Sequence, residues 1–279
     1  MSFEQITGEV AFHGEGPVWH ESWGGLRWVD MLAGSLLTMS ADGQISHLEV
    51  GSRIAAFVRP RSGGGYVVGI ERGLALADSA FAVPTALPPM WDDPTIRMNE
   101  CGVDLQGRLY AGSLSYEGTP GAGTLYRMSA DDGVVVIFPQ VTISNGLDFS
   151  PDGRLAYYND TLTHATDVMD VTEDGQLVNR RIFHDAGDGL PDGLTVDSAG
   201  NVWCAINLHR LVRLYSPSSE ILGEWAFPCQ GVTAVTLGGP DGKDVFVTTS
   251  KELADQPGSG AIWHMRAEIP GQPTREVTL

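Results

Sequence analysis

Cysteine is scarce in this sequence of 279 residues, which has only Cys101, Cys204 and Cys229. An odd number of cysteines cannot form a complete disulfide framework, and none of the three has the CxxC or Cys/His spacing typical of zinc sites. Free thiols of this kind are usual in a reducing compartment. The cysteines therefore argue against a disulfide-stabilised secreted domain and against a cysteine-ligated metal centre.

Basic residues and long apolar runs are also few. Lys and Arg number 17 against 35 Asp and Glu, which gives a formal net charge of −18 and a pI near 4.6. Binding to nucleic acid requires clustered cations, so this composition argues against a nucleic-acid partner. No apolar run approaches the ~18 residues of a membrane-spanning helix, and the N-terminus lacks the basic and apolar regions of a signal peptide. We therefore expect a cytoplasmic protein with no membrane partner.

Glycine is abundant, with 35 Gly beside 16 Pro, whereas helical apolar periodicity is weak throughout. One phrase recurs: an apolar stretch, a polar turn that ends in glycine, and a stretch rich in β-forming residues. Six copies are present, separated by roughly 40 to 47 residues, the spacing of four-stranded propeller blades. Their turn glycines are Gly25, Gly65, Gly107, Gly153, Gly200 and Gly242.

A second hairpin lies between consecutive copies, as in GTLYRMSADDGVVVIF, with apolar positions alternating around a polar turn. Two hairpins per repeat give four strands. The sequence thus predicts an all-β fold, a six-bladed β-propeller with four-stranded antiparallel blades around a central channel, in which residues 1–279 form a single domain. We expect residues 3–12 to close the ring with the C-terminal blade, together with a hairpin of residues 259–269 and 274–279.

The phase of the repeat predicts a ring of oxygen ligands in the channel. Equivalent positions of successive blades are related by rotation about the channel axis, so they lie at one height. Counting back about eight residues from the turn glycines gives Asn99, Asn145 and Asp192, and a turn one residue longer, counted from Gly24, gives Glu15. Pro191-Asp192-Gly193 therefore belongs before the innermost strand, although the same tripeptide at 151–153 and 240–242 is a turn.

Carboxylates and carboxamides that converge on a narrow axis need a cation. An all-oxygen site favours hard ions such as Ca²⁺, Mg²⁺ or Mn²⁺, and Ca²⁺ best tolerates mixed carboxylate and amide donors. Zn²⁺ and Fe²⁺ stay open as alternatives, because affinity and availability also decide which metal is bound. Three strong ligands, with Asn99 as a weaker fourth, leave positions for water or substrate, as catalysis requires.

Four motifs carry a family resemblance: GEGPVW, RMNECGVDLQGRLYAGSL, ISNGLDFSPDGRLAYYND and LPDGLTVDSAGNVW. In this order and at blade spacing they resemble the SMP-30/gluconolactonase/LRE-like family, over essentially the whole chain. The resemblance implies a six-bladed propeller that hydrolyses a sugar lactone, its small-molecule partner, at one divalent metal ion in the channel. It implies that Glu15, Asn145 and Asp192 are the metal ligands and that Asp192 is also the catalytic general base.

The same resemblance implies that Arg97, Asn99 and Glu117 bind the substrate. Relatives commonly have Asp-Gly after the asparagine, whereas this chain has Glu100-Cys101, so the choice of lactone stays open. Two alternatives to an aldonolactonase also stay open: a phosphotriesterase-like hydrolase, and a non-catalytic propeller with a structural Ca²⁺. Because a closed ring needs no partner to satisfy its sheet edges, we expect a monomer or a weak homo-oligomer.

Overall fold

Short antiparallel strands make up nearly all of the regular structure. The computed structural model describes residues 2–279, and in this range it has 24 strands, single turns of 3-10 helix at Glu21–Trp23, Met31–Ala33 and Thr161–Thr163, and no α-helix. Accordingly, that range contains no helix long and apolar enough to cross a membrane. In chain order the strands are β1 (Glu4–Gln5), β2 (Gly14–His20), β3 (Gly25–Asp30), β4 (Ser35–Ser40), β5 (Ile45–Glu49), β6 (Ala55–Pro60), β7 (Tyr66–Ile70), β8 (Gly73–Ala77), β9 (Thr85–Ala86), β10 (Ile96–Val103), β11 (Leu109–Ser115), β12 (Gly123–Ser129), β13 (Gly133–Val141), β14 (Ser144–Phe149), β15 (Leu155–Asp160), β16 (Ala165–Val171), β17 (Leu177–Asp185), β18 (Leu190–Val196), β19 (Val202–Asn207), β20 (Leu211–Tyr215), β21 (Ile221–Ala226), β22 (Gly231–Gly238), β23 (Asp244–Ser250) and β24 (Ile262–Arg266).

The strands form six four-stranded antiparallel sheets, which are the blades of a propeller. Blade 1 is β2–β5, blade 2 is β6–β9, blade 3 is β10–β13, blade 4 is β14–β17 and blade 5 is β18–β21. Blade 6 combines β22–β24 with β1, which pairs with β24 through Glu4 and His264. The first strand of each blade contacts that of the next, and β22 contacts β2, so the ring is closed. The predicted six-bladed propeller is confirmed.

Aromatic side chains fill the spaces between neighbouring blades. The rings of Tyr110 in blade 3 and Phe149 in blade 4 have centroids 5.2 Å apart, and both side chains are fully buried. Burying one such side chain contributes about 1.5–3 kcal/mol to folding. Packing of this kind holds the blades in register, and therefore fixes the height at which each first strand enters the channel.

The three Pro-Asp-Gly copies occupy two kinds of position. Residues 151–153 and 240–242 are turns, in which Gly153 (φ 70°) and Gly242 (φ 73°) take the left-handed conformation that suits glycine. Residues 191–193 lie inside β18 and are buried. The channel copy is thus separated from the turn copies as predicted, and the structure places it within the innermost strand rather than before it.

The last ten residues do not form the predicted hairpin with residues 259–269. They run across the channel end where the first strands finish, and we call residues 270–279 the C-terminal strap. The strap bonds to every blade: Thr274 Oγ1 donates to Trp19 O, Val277 N to Pro60 O, Thr278 N to Gly107 O, Gln272 Nε2 to Phe149 O and Val196 O, and Gly271 N to Gly242 O. Contacts with six different repeats leave no periodic signal in the sequence, which explains the wrong prediction.

Candidate metal centre in the central channel

Each of the six first strands has a β-bulge near its beginning. The pairing register with the second strand shifts between Glu15 and Val18, Ala55 and Phe57, Met98 and Cys101, Ser144 and Leu147, Pro191 and Leu194, and Val232 and Ala234. A bulge leaves a residue outside the ladder and re-aims its side chain. Because all six bulges lie at the same strand position, they form one ring at the end of the channel opposite the strap. We call it the ligand ring.

Glycine follows three of the predicted ligands directly, and it lets the first strands approach one another. At Gly146, after Asn145, a Cβ atom would lie 2.5 Å from both Asp192 O and Leu194 N. These distances are too short for any residue with a side chain unless the backbone shifts. The strands that carry Asn145 and Asp192 are therefore in direct backbone contact. This close approach brings two predicted ligands from different blades to one place.

Asn145 has a carbonyl oxygen that no protein group satisfies. Its Nδ2 donates a hydrogen bond to Thr161 Oγ1 at 3.1 Å. Its Oδ1 is buried and has no hydrogen-bond partner among residues 2–279. Leaving a buried acceptor unsatisfied costs about 1–3 kcal/mol, so this oxygen is available to a water molecule or a cation.

The carboxylate of Asp192 likewise has one atom with a hydrogen bond and one oxygen without a partner. Asn207 Nδ2 donates to Asp192 Oδ2 at 2.8 Å, whereas Asp192 Oδ1 is buried without a partner in the described part of the chain. Burial raises the pKa of Asp192 to about 7, against the lowering effect of the hydrogen bond from Asn207. The nearby carboxylates of Glu100 and Glu252 raise this pKa as well.

Glu15 is the third predicted ligand, and its side chain is 4% exposed. Its Oε2 accepts a hydrogen bond from Gly16 N at 2.9 Å. Burial raises the pKa of Glu15 well above its usual range, and the charges of Asp192 and Glu100 act in the same direction. Glu15 and Asp192 therefore share one electrostatic environment, as residues around a single ion would.

These residues fit a hard divalent cation. Two buried carboxylates disfavour their own ionisation, and two buried acceptor oxygens lack a donor, so a cation would satisfy both conditions at once. Within residues 2–279 no group of three or more His, Cys, Asp or Glu side chains is arranged to hold a metal. The ligand ring instead offers two carboxylates and one amide oxygen, a donor set that suits Ca²⁺ and similar ions.

The side-chain oxygen of Asn99 already accepts one hydrogen bond. Arg97 Nη1 donates to Asn99 Oδ1 at 2.8 Å and to Met98 O at 3.1 Å, and Asn99 Nδ2 donates to Ser144 O at 2.9 Å. An amide oxygen has two lone pairs, so one remains on Asn99 Oδ1, and its role as a weaker fourth ligand stays a prediction. The contacts of Asn99 also fix the guanidinium of Arg97 beside the ligand ring.

Glu117 lies apart from the ligand ring and is exposed in the turn after β11. Its neighbour Tyr116 connects this turn to the channel mouth: the Tyr116 ring centroid is 5.9 Å from the guanidinium carbon of Arg97 and 4.9 Å from that of Arg53. Tyr116 Oη also donates to Glu71 Oε1 at 2.6 Å. The structure thus brings the turn, but not the Glu117 carboxylate, into contact with the predicted substrate side.

Sequence reasoning missed two residues that bond the ligands, Thr161 and Asn207. Both stand where the second strand of a blade ends, and aligning that position across the repeats could have found them. Glu100 appeared only as a departure from the family pattern. It is buried, its Oε1 accepts from Cys101 N at 2.7 Å, and Arg59 Nη2 donates to it at 3.4 Å.

A cavity of about 100 Å³ lies in the channel between the ligand ring and the strap. Its lining includes Arg59, Glu100, Asp148 and Arg275. Arg275 Nη1 donates to Asp148 Oδ1 at 2.9 Å and closes the cavity from the strap side. The volume has room for several water molecules, and a substrate would reach the ligand ring from the opposite end.

These features define a class of protein: a closed six-bladed propeller with buried oxygen ligands, suited to one divalent cation, at one end of its channel. Residues 13–251 match the model of the SMP-30/Gluconolactonase/LRE-like region, and the chain belongs to this family. The resemblance stated from the four motifs is thereby confirmed.

Three comparisons place the chain within the family. It is 35% identical over 273 residues to a 6-deoxy-6-sulfogluconolactonase of Pseudomonas putida, with 92% of each chain covered. It is 32% identical over 263 residues to regucalcin of Danio rerio, covering 90% of this chain and 89% of the relative. The crystal structure of a calcium-binding protein, regucalcin, from Agrobacterium tumefaciens has the same fold, with a TM-score of 0.92, 23% identity, and 99% and 97% of the two chains covered.

Proposed function

We propose that this protein hydrolyses a sugar lactone, an aldonolactone, to the aldonic acid at a divalent cation held by Glu15, Asn145 and Asp192. The observation that carries the proposal is the pair of buried, unpartnered oxygens, Asn145 Oδ1 and Asp192 Oδ1, beside the buried carboxylate of Glu15. Membership of the family and the sulfogluconolactonase relative support a hydrolase of the lactonase type. Ca²⁺ is the cation we propose first, from the donor set and from the calcium-binding Agrobacterium protein.

When bound, a divalent cation supplies Lewis-acid polarisation of the lactone carbonyl and stabilises negative charge on its oxygen during attack by water. The side chains of the ligand ring then have separate tasks. Asn207 holds Asp192 Oδ2, so Asp192 Oδ1 is the oxygen that faces the reacting groups. In the proposed mechanism Asp192 takes the proton from the attacking water, because its Oδ1 has no partner in residues 2–279 and lies at the proposed site of attack.

Arg97 and Asn99 are proposed to orient the substrate. Asn99 and Met98 hold Nη1 of Arg97, and its other guanidinium nitrogens make no hydrogen bond to residues 2–279, so they remain for the hydroxyl oxygens of a sugar. Glu117, on the exposed turn after Tyr116, would contact a substrate only at its outer end. Polar groups at this mouth suit a polyhydroxylated lactone better than an apolar phosphotriester.

His13, Ser250 and Glu252 lie together and have the residue types of the catalytic triad of a serine hydrolase. Ser250 Oγ lies 2.8 Å from His13 Nδ1, and Glu252 Oε2 lies 3.0 Å from the same nitrogen. In a catalytic triad the serine and the acid use opposite ring nitrogens, so that the base can be oriented while it takes a proton. This cluster therefore lacks the geometry of a triad and supports no competing mechanism.

The test is hydrolysis of a panel of glucono-, xylono-, arabinono- and galactonolactones, and of a phosphotriester, followed with a pH indicator. The metal-stripped protein is assayed alone and with added Ca²⁺, Mn²⁺ or Zn²⁺, beside Asp192→Ala and the control Asp152→Ala. The control substitutes the aspartate of another Pro-Asp-Gly copy, residues 151–153, which forms a turn in which Asp152 is exposed.

We expect metal-restored activity, at least about 10²-fold lower kcat/KM for Asp192→Ala, and little change for Asp152→Ala. Metal that binds and raises the melting temperature without hydrolysis of any lactone would contradict the proposal and favour a structural Ca²⁺ propeller. Hydrolysis of phosphotriesters alone would favour the phosphotriesterase-like alternative.

A further inference from the structure

Thr161 stands at the end of β15 and bonds to both ligand-bearing strands of blades 4 and 5. Its Oγ1 donates to Pro191 O at 2.9 Å and lies 3.1 Å from Asn145 Nδ2. A threonine hydroxyl has a single hydrogen, and here Pro191 O accepts it, so toward Asn145 the hydroxyl can only accept. The amide nitrogen of Asn145 must therefore face Thr161, which turns Oδ1 to the other side.

Asn207, the last residue of β19, makes the corresponding hydrogen bond to Asp192. Its own Oδ1 accepts from Leu208 N at 2.8 Å, and that amide also donates to Gln230 O at 3.2 Å. Asn207 Nδ2 consequently faces Asp192 and donates to Oδ2 at 2.8 Å. Leu208 has φ 65°, a left-handed conformation that a leucine rarely adopts and that concentrates at functional sites.

The two residues occupy nearly the same place in adjacent blades, one residue apart. Thr161 directly follows Asp160, which pairs with Ser144 at the start of β14, and Asn207 pairs with Leu190 at the start of β18. Each therefore bonds the ligand one or two residues further along the first strand of its own blade. This repeated arrangement leaves one unpartnered oxygen on each ligand.

We propose that Thr161 and Asn207 are positioning residues that select which atoms of Asn145 and Asp192 face the bound cation. An asparagine amide with its ends exchanged would present two N–H donors to the cation and repel it. The hydroxyl of Thr161 prevents this exchange, and the amide of Asn207 holds the Asp192 carboxylate in one rotamer. The inference rests on the proposed metal centre but does not depend on which substrate is hydrolysed.

The experiment is a calorimetric titration of the metal-stripped, full-length protein with Mn²⁺. The variants are Thr161→Val, which removes the hydroxyl, Thr161→Ser, which keeps it, and Asn207→Ala. Thr163→Val is the matched control, because Thr163 Oγ1 in the same turn donates to Asp160 O at 2.8 Å. Circular dichroism melting of each metal-free variant reports folding separately.

We expect Thr161→Val and Asn207→Ala to weaken Mn²⁺ binding by about 10-fold or more, the usual effect of losing a partner of a metal ligand. Thr161→Ser should stay within about 3-fold of the parent, and Thr163→Val should bind as the parent does. If Thr161→Val does not fold, Asn207→Ala carries the same test.

Parent-like affinity in both Thr161→Val and Asn207→Ala would overturn the inference, as would equal weakening in Thr161→Ser and Thr161→Val. A parent protein that binds no Mn²⁺ would overturn it as well. Weaker binding in the two variants, in a protein that hydrolyses none of the lactones tested, would leave the inference standing while the proposed function fails.

Discussion

Removing the metal should make the stability of the protein depend on pH through Asp192. The pKa of this residue is about 7 in the folded, metal-free protein, against an ordinary value of 3.8 that applies after unfolding. An acid whose pKa is raised by folding stabilises the fold fully below its unfolded pKa, and this contribution is lost as the pH rises through the folded pKa. The contribution of Asp192 to stability should therefore fall between about pH 4 and pH 7 and level off above.

The size of the effect follows from the same two pKa values. Their difference corresponds to about 4 kcal/mol of stability lost at alkaline pH. Glu15 is shifted in the same direction and adds to the loss. For a chain of this size, 4 kcal/mol corresponds to a lowering of the melting temperature on the order of 10 °C.

The assay is thermal unfolding at pH 5 and pH 8, with and without Ca²⁺, of the parent and of Asp192→Asn. Asparagine keeps the shape of the side chain and cannot ionise, so the metal-free variant should melt higher than the parent at pH 8 and respond less to Ca²⁺. Ca²⁺ at 100 times its Kd should stabilise the parent by about 2.7 kcal/mol. A metal-free parent that melts no lower relative to Asp192→Asn at pH 8 than at pH 5 would refute the reasoning.

Two further predictions concern packing around the channel. Gly146→Ala places a Cβ 2.5 Å from Asp192 O, so it should destabilise the protein by about 1–3 kcal/mol and weaken Ca²⁺ binding. The control Gly8→Ala, whose Cβ meets no atom within 4 Å, should change neither the free energy of unfolding, measured with urea, nor the Ca²⁺ affinity, measured by calorimetry. Equal effects of the two substitutions would contradict the close approach of the strands. Arg275→Ala removes the ion pair with the largely buried Asp148 and should cost about 2–4 kcal/mol in urea unfolding, and a loss under 0.5 kcal/mol would mean that the strap is not held by this pair.

Repetition explains what the sequence could predict. The six copies of one phrase predict the number of blades, and their phase places Glu15, Asn145 and Asp192 in one ring, because rotation about an axis preserves position along the repeat. The structure adds the cause of the phase, a β-bulge at the same position in every first strand.

Contacts between repeats explain what the sequence could not predict. The roles of Thr161 and Asn207 depend on hydrogen-bond polarity, which becomes visible only when Pro191 O and Leu208 N are in place. The oxygen of Asn99 has the right phase for a ligand, but one of its two lone pairs accepts a hydrogen bond from Arg97, two residues earlier in the chain. Pattern alone locates a side chain; it does not say whether that side chain is free.

The acidic side chains of the channel have basic partners toward the strap but not at the ligand ring. This difference favours a bound cation at the ligand ring only. Toward the strap, Asp148 pairs with Arg275 at 2.9 Å, and midway Glu100 pairs with Arg59 at 3.4 Å. At the ligand ring, Glu15 and Asp192 are buried more deeply than Asp148, yet no Lys or Arg within residues 2–279 forms an ion pair with either of them. An unpaired buried charge costs several kcal/mol, and burial accordingly favours the protonated form of these two acids. The proposed divalent cation would supply at the ligand ring the positive charge that Arg59 and Arg275 supply elsewhere in the channel.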